Sequence, residues 1–443
     1  MRRRNVITGI AWALIYIFLV LAPLFIMLTG PRAAGREFWR DLSVSLGFIG
    51  LAMMALQFVL TARFKWLKAP YGSDIVYHFH RQISFVAFAL IITHPLLLFI
   101  FSPRTLALLN VFIAPWRARF AVVAVLSLIG LIVFSVWRKK LKIDYYSWRI
   151  WHGILAILAV GMALVHVELA GYYVNTPWKR ALWIVYAVFW IGLLVYTRLV
   201  KPLLLMRKKY RVVDLVQERG GAWTLVLKPD GHAGIRFHPG QFAWINLRSS
   251  PFSEKEHPFS ISSSAAENLR LSFTIKELGD FTRRIKDTPI GETVYVDGPY
   301  GAFTTDRHDH ARGFIFIAGG VGITPIMSMM RTMADRDEKR PLVLFYANRD
   351  WEGITFREEL ERLKKRLDLT LIHVLEKPPQ NWTGKQGYIS RKDIEEVIPK
   401  GLERNQLEIF LCGPPPMMRA VDRIINEMNI WPGDFHYERF DLV

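Results

Sequence analysis

Four histidines sit in apolar stretches at a repeated interval: His80 and His94 are fourteen residues apart, and so are His152 and His166. At about 100° per residue, fourteen residues of α-helix leave about 40° of rotation while rising about 21 Å, so each pair shares one helix face at two depths. An ionisable side chain is costly in an apolar span and marks function there. Two helices of the same direction carrying such pairs can clamp two haems by bis-imidazole ligation, His80 with His152 and His94 with His166. A lone histidine is as often a satisfied packing or interfacial residue; the doubled spacing favours ligation. His78 falls about 160° from His94 around the helix and reads as an interfacial or propionate neighbour. Arg81 and Arg149, beside the first pair, fit haem propionates or plain loop charges equally well. Arg117 and Arg119 hold the corresponding place at the second pair, and Phe88 between the layers reads as packing.

Haem passes single electrons whereas nicotinamide gives a hydride, so a flavin must stand between them. The run His257-Pro258-Phe259-Ser260, with Ser262 two residues on, joins a rigid proline, an aromatic ring and hydroxyls able to hold an isoalloxazine edge and a ribityl chain. Alone it would pass for an ordinary strand entry. Ile275 and Lys276, followed by Gly279 and Thr282, put a cation, a glycine and helix-entry donors where a flavin pyrophosphate needs them. An apolar strand then runs into Gly319, Gly320, Gly322, Thr324 and Pro325 at a helix start, so backbone amides face a nucleotide pyrophosphate with no Cβ between. Arg349, after the next strand, suits a ribose 2′-phosphate and favours NADPH over NADH, or is a solvated charge beside Asp350. Cys412, Gly413 and Pro414 put a small thiol at the carboxyl edge of the last strand, the place of nicotinamide, and Phe440 is available to cover a flavin face.

The elements that must position these residues divide the 443-residue chain unevenly. Apolar residues make up 52% of it, and they gather in six runs: Val6–Thr29, Leu42–Ala62, Gln82–Ser102, Phe120–Trp137, Ile150–Val167 and Ala181–Thr197. Each is close to the ~20 residues that cross a bilayer. The net charge of +19 follows topology: seventeen Lys and Arg flank one set of alternate loops and eight the other. The positive-inside rule places both termini in the cytoplasm. The basic residues form no separate patch or aromatic-interleaved motif, so nucleic acid is not an expected partner; the lipid bilayer is. One cysteine excludes internal disulfides, CxxCH haem attachment, a four-cysteine zinc site and an ordinary cysteine-ligated iron–sulfur cluster. Beyond about residue 206, short β segments punctuated by Gly and Pro predict an antiparallel barrel, and from Gly313 alternating strand and helix predict a parallel α/β domain. The fold is therefore expected as an all-α six-helix bundle over 1–205, a flavin-binding β-barrel over 206–308 and a Rossmann-like nicotinamide domain over 309–443.

These residues resemble the ferric reductase and NADPH oxidase superfamily, in which a six-helix haem domain is joined to a ferredoxin-NADP reductase-like dehydrogenase. His80, His94, His152 and His166 resemble its haem ligands, His257–Ser260 its flavin motif, Gly319–Pro325 its nicotinamide pyrophosphate loop, Cys412–Pro414 its nicotinamide edge and Phe440 its flavin-stacking aromatic. The resemblance implies FAD, two b-type haems and NADPH or NADH, with electrons passing from the cytosol to external oxygen. The compact layout, with no EF-hand before the first span, resembles the prokaryotic oxidases and a bacterial inner membrane. Where some animal oxidases carry a further histidine, His94 is followed here by Pro95-Leu96-Leu97-Leu98. A ferric chelate is the alternative acceptor, and a haem-binding sensor or transporter without turnover the alternative of another class. The chain carries no motif that sets an oligomeric state.

Overall fold

The computed structural model describes residues 2–29, 37–64, 73–253, 255–267, 269–398, 403, 406–430 and 434–439. They fall into two units, divided chiefly between Pro202 and Leu203. The first holds the helices α1 (Arg2–Leu28), α2 (Phe38–Thr61), α3 (Ser73–Phe101), α4 (Trp116–Val136), α5 (Tyr145–Ala170) and α6 (Pro177–Val195). All six are long and apolar enough to cross a membrane, as expected. Large side chains such as Phe18, Leu126, Val188 and Phe189 face outward, the reverse of a water-soluble fold. Small residues pack inside, and a Cβ on Gly50 of α2 would stand 2.6 Å from Ile91 of α3, so these backbones approach closely. Helix α3 starts nine residues before its apolar run, at Ser73 rather than Gln82, which carries His80 well inside it. Helix α5 is capped by Asp144, whose carboxylate accepts from the Tyr146 and Ser147 amides at 3.0 Å each. Helix α6 continues through a π-helical turn, Tyr196–Val200, into α7 (Lys201–Met206).

The second unit opens with strands β1 (Lys209–Glu218), β2 (Ala222–Pro229), β3 (Phe242–Leu247), β4 (His257–Ser260), β5 (Leu271–Lys276) and β6 (Thr293–Tyr300), with the single turn α8 (Asp280–Arg283) before β6. They form an antiparallel sheet of order β4-β3-β6-β1-β2-β5. Bulges at Val212/Asp214 and Phe242/Trp244 bend it. It curls until Ile261, just past β4, bridges Phe273 of β5, making a half-barrel around Tyr210, Leu225 and Phe273.

A parallel sheet follows: β7 (Gly313–Gly319), α9 (Ile323–Asp335), β8 (Leu342–Asn348), α10 (Arg357–Leu363), β9 (Leu369–Leu375), β10 (Lys385–Gln386), α11 (Arg391–Glu396), β11 (Leu407–Cys412), α12 (Pro415–Glu427) and β12 (Phe435–Glu438). Its order is β10-β9-β8-β7-β11-β12. Phe314 and Phe316 of β7 face α9 and α10, while Ile315 and Ile317 face α11 and α12, so the sheet is covered on both sides. The chain builds outward from β7 one way and then returns to its other side. The order therefore reverses between β7 and β11, where a doubly wound sheet opens a ligand crevice at its carboxyl ends. Four of these six strands are legible as apolar runs; β10 and β12 are too short and too polar to show one.

Candidate functional site

Helix α3 carries His80 and His94, and α5 carries His152 and His166. The ring centres of His80 and His152 lie 6.4 Å apart, and His94 stands close enough to His166 for the two to interact electrostatically. A spacing of 6.4 Å leaves room for one metal ion between two imidazole bonds of about 2.0–2.1 Å, the length known for zinc. Proton accounting fixes three of the four tautomers, because a hydroxyl has one proton to give. Ser43 Oγ gives its proton to the His94 carbonyl at 2.7 Å, so Ser43 Oγ and Ser43 O, each 2.9 Å from His94 Nδ1, both accept from that nitrogen. Ser135 Oγ gives its proton to Leu131 O at 2.7 Å and accepts from His152 Nδ1 at 3.1 Å. Arg117 O accepts from His166 Nδ1 at 2.8 Å. In each case Nδ1 is protonated and Nε2 keeps its lone pair, the form that ligates metal. His80 differs: its Nδ1 is enclosed without a hydrogen bond.

Sequence reasoning missed Ser43, Ser135 and Gly47. A Cβ on Gly47 would stand 3.2 Å from the His94 ring, so Ser43 and Gly47, four apart on α2, together make room for and orient that imidazole. Two small residues at helical spacing were the available signal. Arg81 is exposed and Arg149 half-buried, whereas Arg198, read only as a loop charge, acts electrostatically on His152.

The residues singled out for flavin lie on or next to β4, β5 and α8, and the curl of the sheet brings these elements together. The His257 ring stacks on Phe281 with centres 3.7 Å apart, and Phe259 stacks beyond it at 6.1 Å. Pro258 falls on an edge strand, where its missing N–H costs no ladder bond. Ser260 is buried, and Lys276 is half-buried at the end of β5. Two residues present less than expected. Ile275 turns its side chain into the barrel core, and the Ser262 hydroxyl accepts from Thr274 at 3.0 Å inside the sheet. Thr282 is likewise engaged, accepting from the Leu278 and Gly279 amides at 2.9 and 2.8 Å. Gly279 itself faces open space.

At the β7/β11 reversal the glycines divide into two kinds. A Cβ would stand 2.7 Å from Met417 and Pro414 at Gly319, 2.3 Å from the Cys412 carbonyl at Gly322, and 2.5 Å from Met417 at Gly413. These three let two turns of the protein touch. Gly320 alone adopts a positive φ, +53°, with open space beside it, and the Tyr346 hydroxyl donates to its carbonyl at 3.2 Å. The expectation that every glycine clears a path for a pyrophosphate is thus narrowed to Gly320, because close packing of the turns accounts for the others. Thr324 donates to Val321 O across the same turn, and Pro325 is buried at the start of α9. Arg349 is exposed beyond β8, and Pro414 is exposed and caps α12. Cys412 is fully buried, and burial pushes its thiol well above the ordinary range. It offers volume rather than a thiolate. Phe440 lies outside the described residues.

Helix α9 also joins the two sheets, which sequence reasoning did not foresee. Ser328 Oγ donates to Ser263 O at 2.7 Å, Ala265 N donates to Thr332 Oγ1 at 2.8 Å, and Arg331 Nη1 donates to Ser262 O at 2.5 Å. Arg331 is held by a two-pronged pair with Glu359, 2.7 Å at each prong. The segment just past β4, with Ser262 and Ser263, is thereby tied to the helix that opens the nucleotide crevice.

Residues 46–163 match the family described as ferric reductase like transmembrane component, 224–304 an FAD-binding domain and 316–423 an oxidoreductase NAD-binding domain. Together these three matches fit a superfamily of the ferric reductase and NADPH oxidase type with a ferredoxin-NADP reductase-like carboxyl-terminal part. The chain is an integral membrane protein with FAD- and NAD-binding domains. Among curated proteins it is 30% identical over 243 residues to the glycine betaine monooxygenase reductase subunit of Chromohalobacter salexigens, covering 53% of this chain and 64% of that one. It is 34% identical over 150 residues to NADH-cytochrome b5 reductase 1 of Debaryomyces hansenii, covering 33% of this chain and 52% of that one. The chain thus spans 52–64% of the length of these two relatives. Among solved structures it is similar to the flavohem-like FAD/NAD binding domain of nitric oxide dioxygenase from Vibrio cholerae O1 biovar El Tor, at 21% identity and a TM-score of 0.46, covering 52% of this chain and 98% of that one.

Proposed function

We propose that this chain is a transmembrane oxidase of a bacterial inner membrane, taking hydride from NADPH on the cytoplasmic side and delivering single electrons to oxygen on the other. The balance is NADPH + 2 O2 → NADP+ + H+ + 2 O2•−. Bound FAD would supply the change from hydride to single electrons, and two b-type haems would carry them one at a time. The observation that carries this reading is the pinning of Nδ1 in His94, His152 and His166, which leaves three Nε2 lone pairs available for ligation. His80 completes the layer of His152. On the cytoplasmic side, with domain limits near 206 and 309, the His257–Ser260 strand and Lys276 hold the flavin. Gly320 and the start of α9 receive the nucleotide pyrophosphate, Arg349 its 2′-phosphate, and Cys412 with Gly413 the nicotinamide edge. Oxygen needs little recognition, which suits the short loops at 103–115 and 171–176.

Purified full-length protein should show two b-type haems and one flavin per chain. NADPH should bleach the flavin anaerobically, and in air should reduce cytochrome c in a manner that superoxide dismutase abolishes. Reduction insensitive to the dismutase overturns the oxidase and points to a ferric chelate as acceptor. Failure to bleach the flavin overturns the electron path.

A further inference from the structure

At the amino end of the parallel sheet, opposite the nucleotide crevice, three imidazoles converge on one buried carboxylate. Glu408, the second residue of β11, is 2% exposed. Its Oε1 lies 2.9 Å from His310 Nε2 and 3.2 Å from His308 Nδ1, both in the loop before β7, and its Oε2 lies 2.7 Å from His436 Nε2 on β12. Burying a carboxylate charge is expensive unless it is paired or bound to a metal. The ion-pair partners of Glu408 among the described residues are these imidazoles, with no Lys or Arg.

The geometry suits an ion. The donor atoms of His308, His310 and Glu408 all lie within 4.8 Å of one another. Two donors on a tetrahedral centre at about 2.0–2.2 Å stand roughly 3.3–3.5 Å apart, so the present 2.9 and 3.2 Å need to open by only a few tenths of an ångström. His308 Nδ1 is enclosed and makes no aligned hydrogen bond. Two imidazoles and one carboxylate are the donor set of open zinc sites, and a carboxylate ligand is commonly steadied through its second oxygen, the place His436 occupies. The two ligands His308 and His310 are separated by one residue in the sequence, and the third arrives from a strand about a hundred residues later, so only the fold assembles the set.

We propose that His308, His310 and Glu408 form a binding site for one divalent ion of the zinc class, with His436 positioning the carboxylate. The ion ties the loop before β7 to β11 and, through His436, to β12. About 13 Å of strand, at ~3.3 Å per residue, separates Glu408 from Cys412, so the site is distinct from the nucleotide crevice and its test needs no turnover.

Full-length, haem- and flavin-loaded protein in detergent is stripped with a chelator, given Zn2+ at low micromolar concentration, desalted and assayed for zinc by elemental analysis, with thermal unfolding followed in parallel. Wild-type protein should retain one zinc ion per chain above that retained by His310→Gln and should unfold at a higher temperature with Zn2+. His310 is half-exposed, so His310→Gln should fold, with unchanged flavin content as the check. His436→Gln should keep the site with affinity about 10–100-fold weaker. Equal zinc retention by wild type and His310→Gln, or no retention by either, overturns the proposal and leaves a hydrogen-bonded carboxylate cluster only.

Discussion

In the helix unit the candidate chemistry rests on side chains, and in the sheet unit it rests on backbone. His94, His152 and His166 are set by helical spacing and held by acceptors on Ser43, Ser135 and Arg117, so a substitution removes a donor while the helices stay in place. At the nucleotide crevice Gly319, Gly322 and Gly413 bring two turns into contact, and a single added carbon meets protein at under 3 Å. Function and fold are therefore separable in the first region and fused in the second.

The largest expected effect lies in the helices. On the proposed reading, His166→Ala removes one of two haems and stops electron delivery to the external acceptor, while anaerobic flavin reduction by NADPH continues; a haem content still at two per chain would break the contrast. Next, Gly322→Ala should destabilise the sheet unit by about 1–3 kcal/mol or more through overpacking against the Cys412 carbonyl. Gly320→Ala, in open space at positive φ, should cost only about 1–2 kcal/mol and act on the KM for NADPH. Thermal unfolding followed by flavin release ranks the two, and a reversed ranking would contradict the packing account. Arg331→Ala, which removes the pair with Glu359 and the bond to Ser262, should cost about 1.5–3 kcal/mol on the same readout.

Ser135→Ala sharpens the comparison within the helices. It removes the hydroxyl that accepts from His152 Nδ1, whereas Ser43→Ala leaves the Ser43 carbonyl in place for His94. Haem retention should fall by about 10–100-fold in the first and less in the second. The smallest effect is one of pH. Burial alone would raise the Asp306 carboxyl, but Arg336 and His238 outweigh it and hold it below the ordinary range. A carboxyl depressed in the folded state contributes stability that is present above the unfolded value of about 3.9 and lost as pH falls through the folded one. Asp306→Asn should therefore lower the unfolding free energy at neutral pH by no more than the ~1 kcal/mol of a part-exposed pair, read as a lower unfolding temperature, and the gap to wild type should close on acidification. A gap that widens toward acid would contradict the sign.

Most of the architecture was legible because it rests on local periodicity. Apolar runs of about twenty residues specify spans, and fourteen residues return a helix to nearly the same face, so the two histidine layers follow from spacing within α3 and α5. The half-barrel and the four longer parallel strands follow from apolar segments between Gly and Pro. Less was legible where a residue acts through a partner distant in sequence. Nothing local marks Ser43 as the acceptor for a histidine fifty-one residues away, or Arg331 as the tie to a carbonyl sixty-nine residues earlier.

What the sequence alone determined, then, is the number of apolar spans, the fourteen-residue spacing of the histidines along two helices, and the glycine turn between strand and helix. Each depends on bond geometry repeated over neighbouring residues. What only the tertiary structure decided is which nitrogen of His94, His152 and His166 is left free, why Gly319, Gly322 and Gly413 are glycines, and the convergence of His308, His310 and His436 on Glu408. Those depend on distances between segments far apart in the chain, which are fixed when the cores pack.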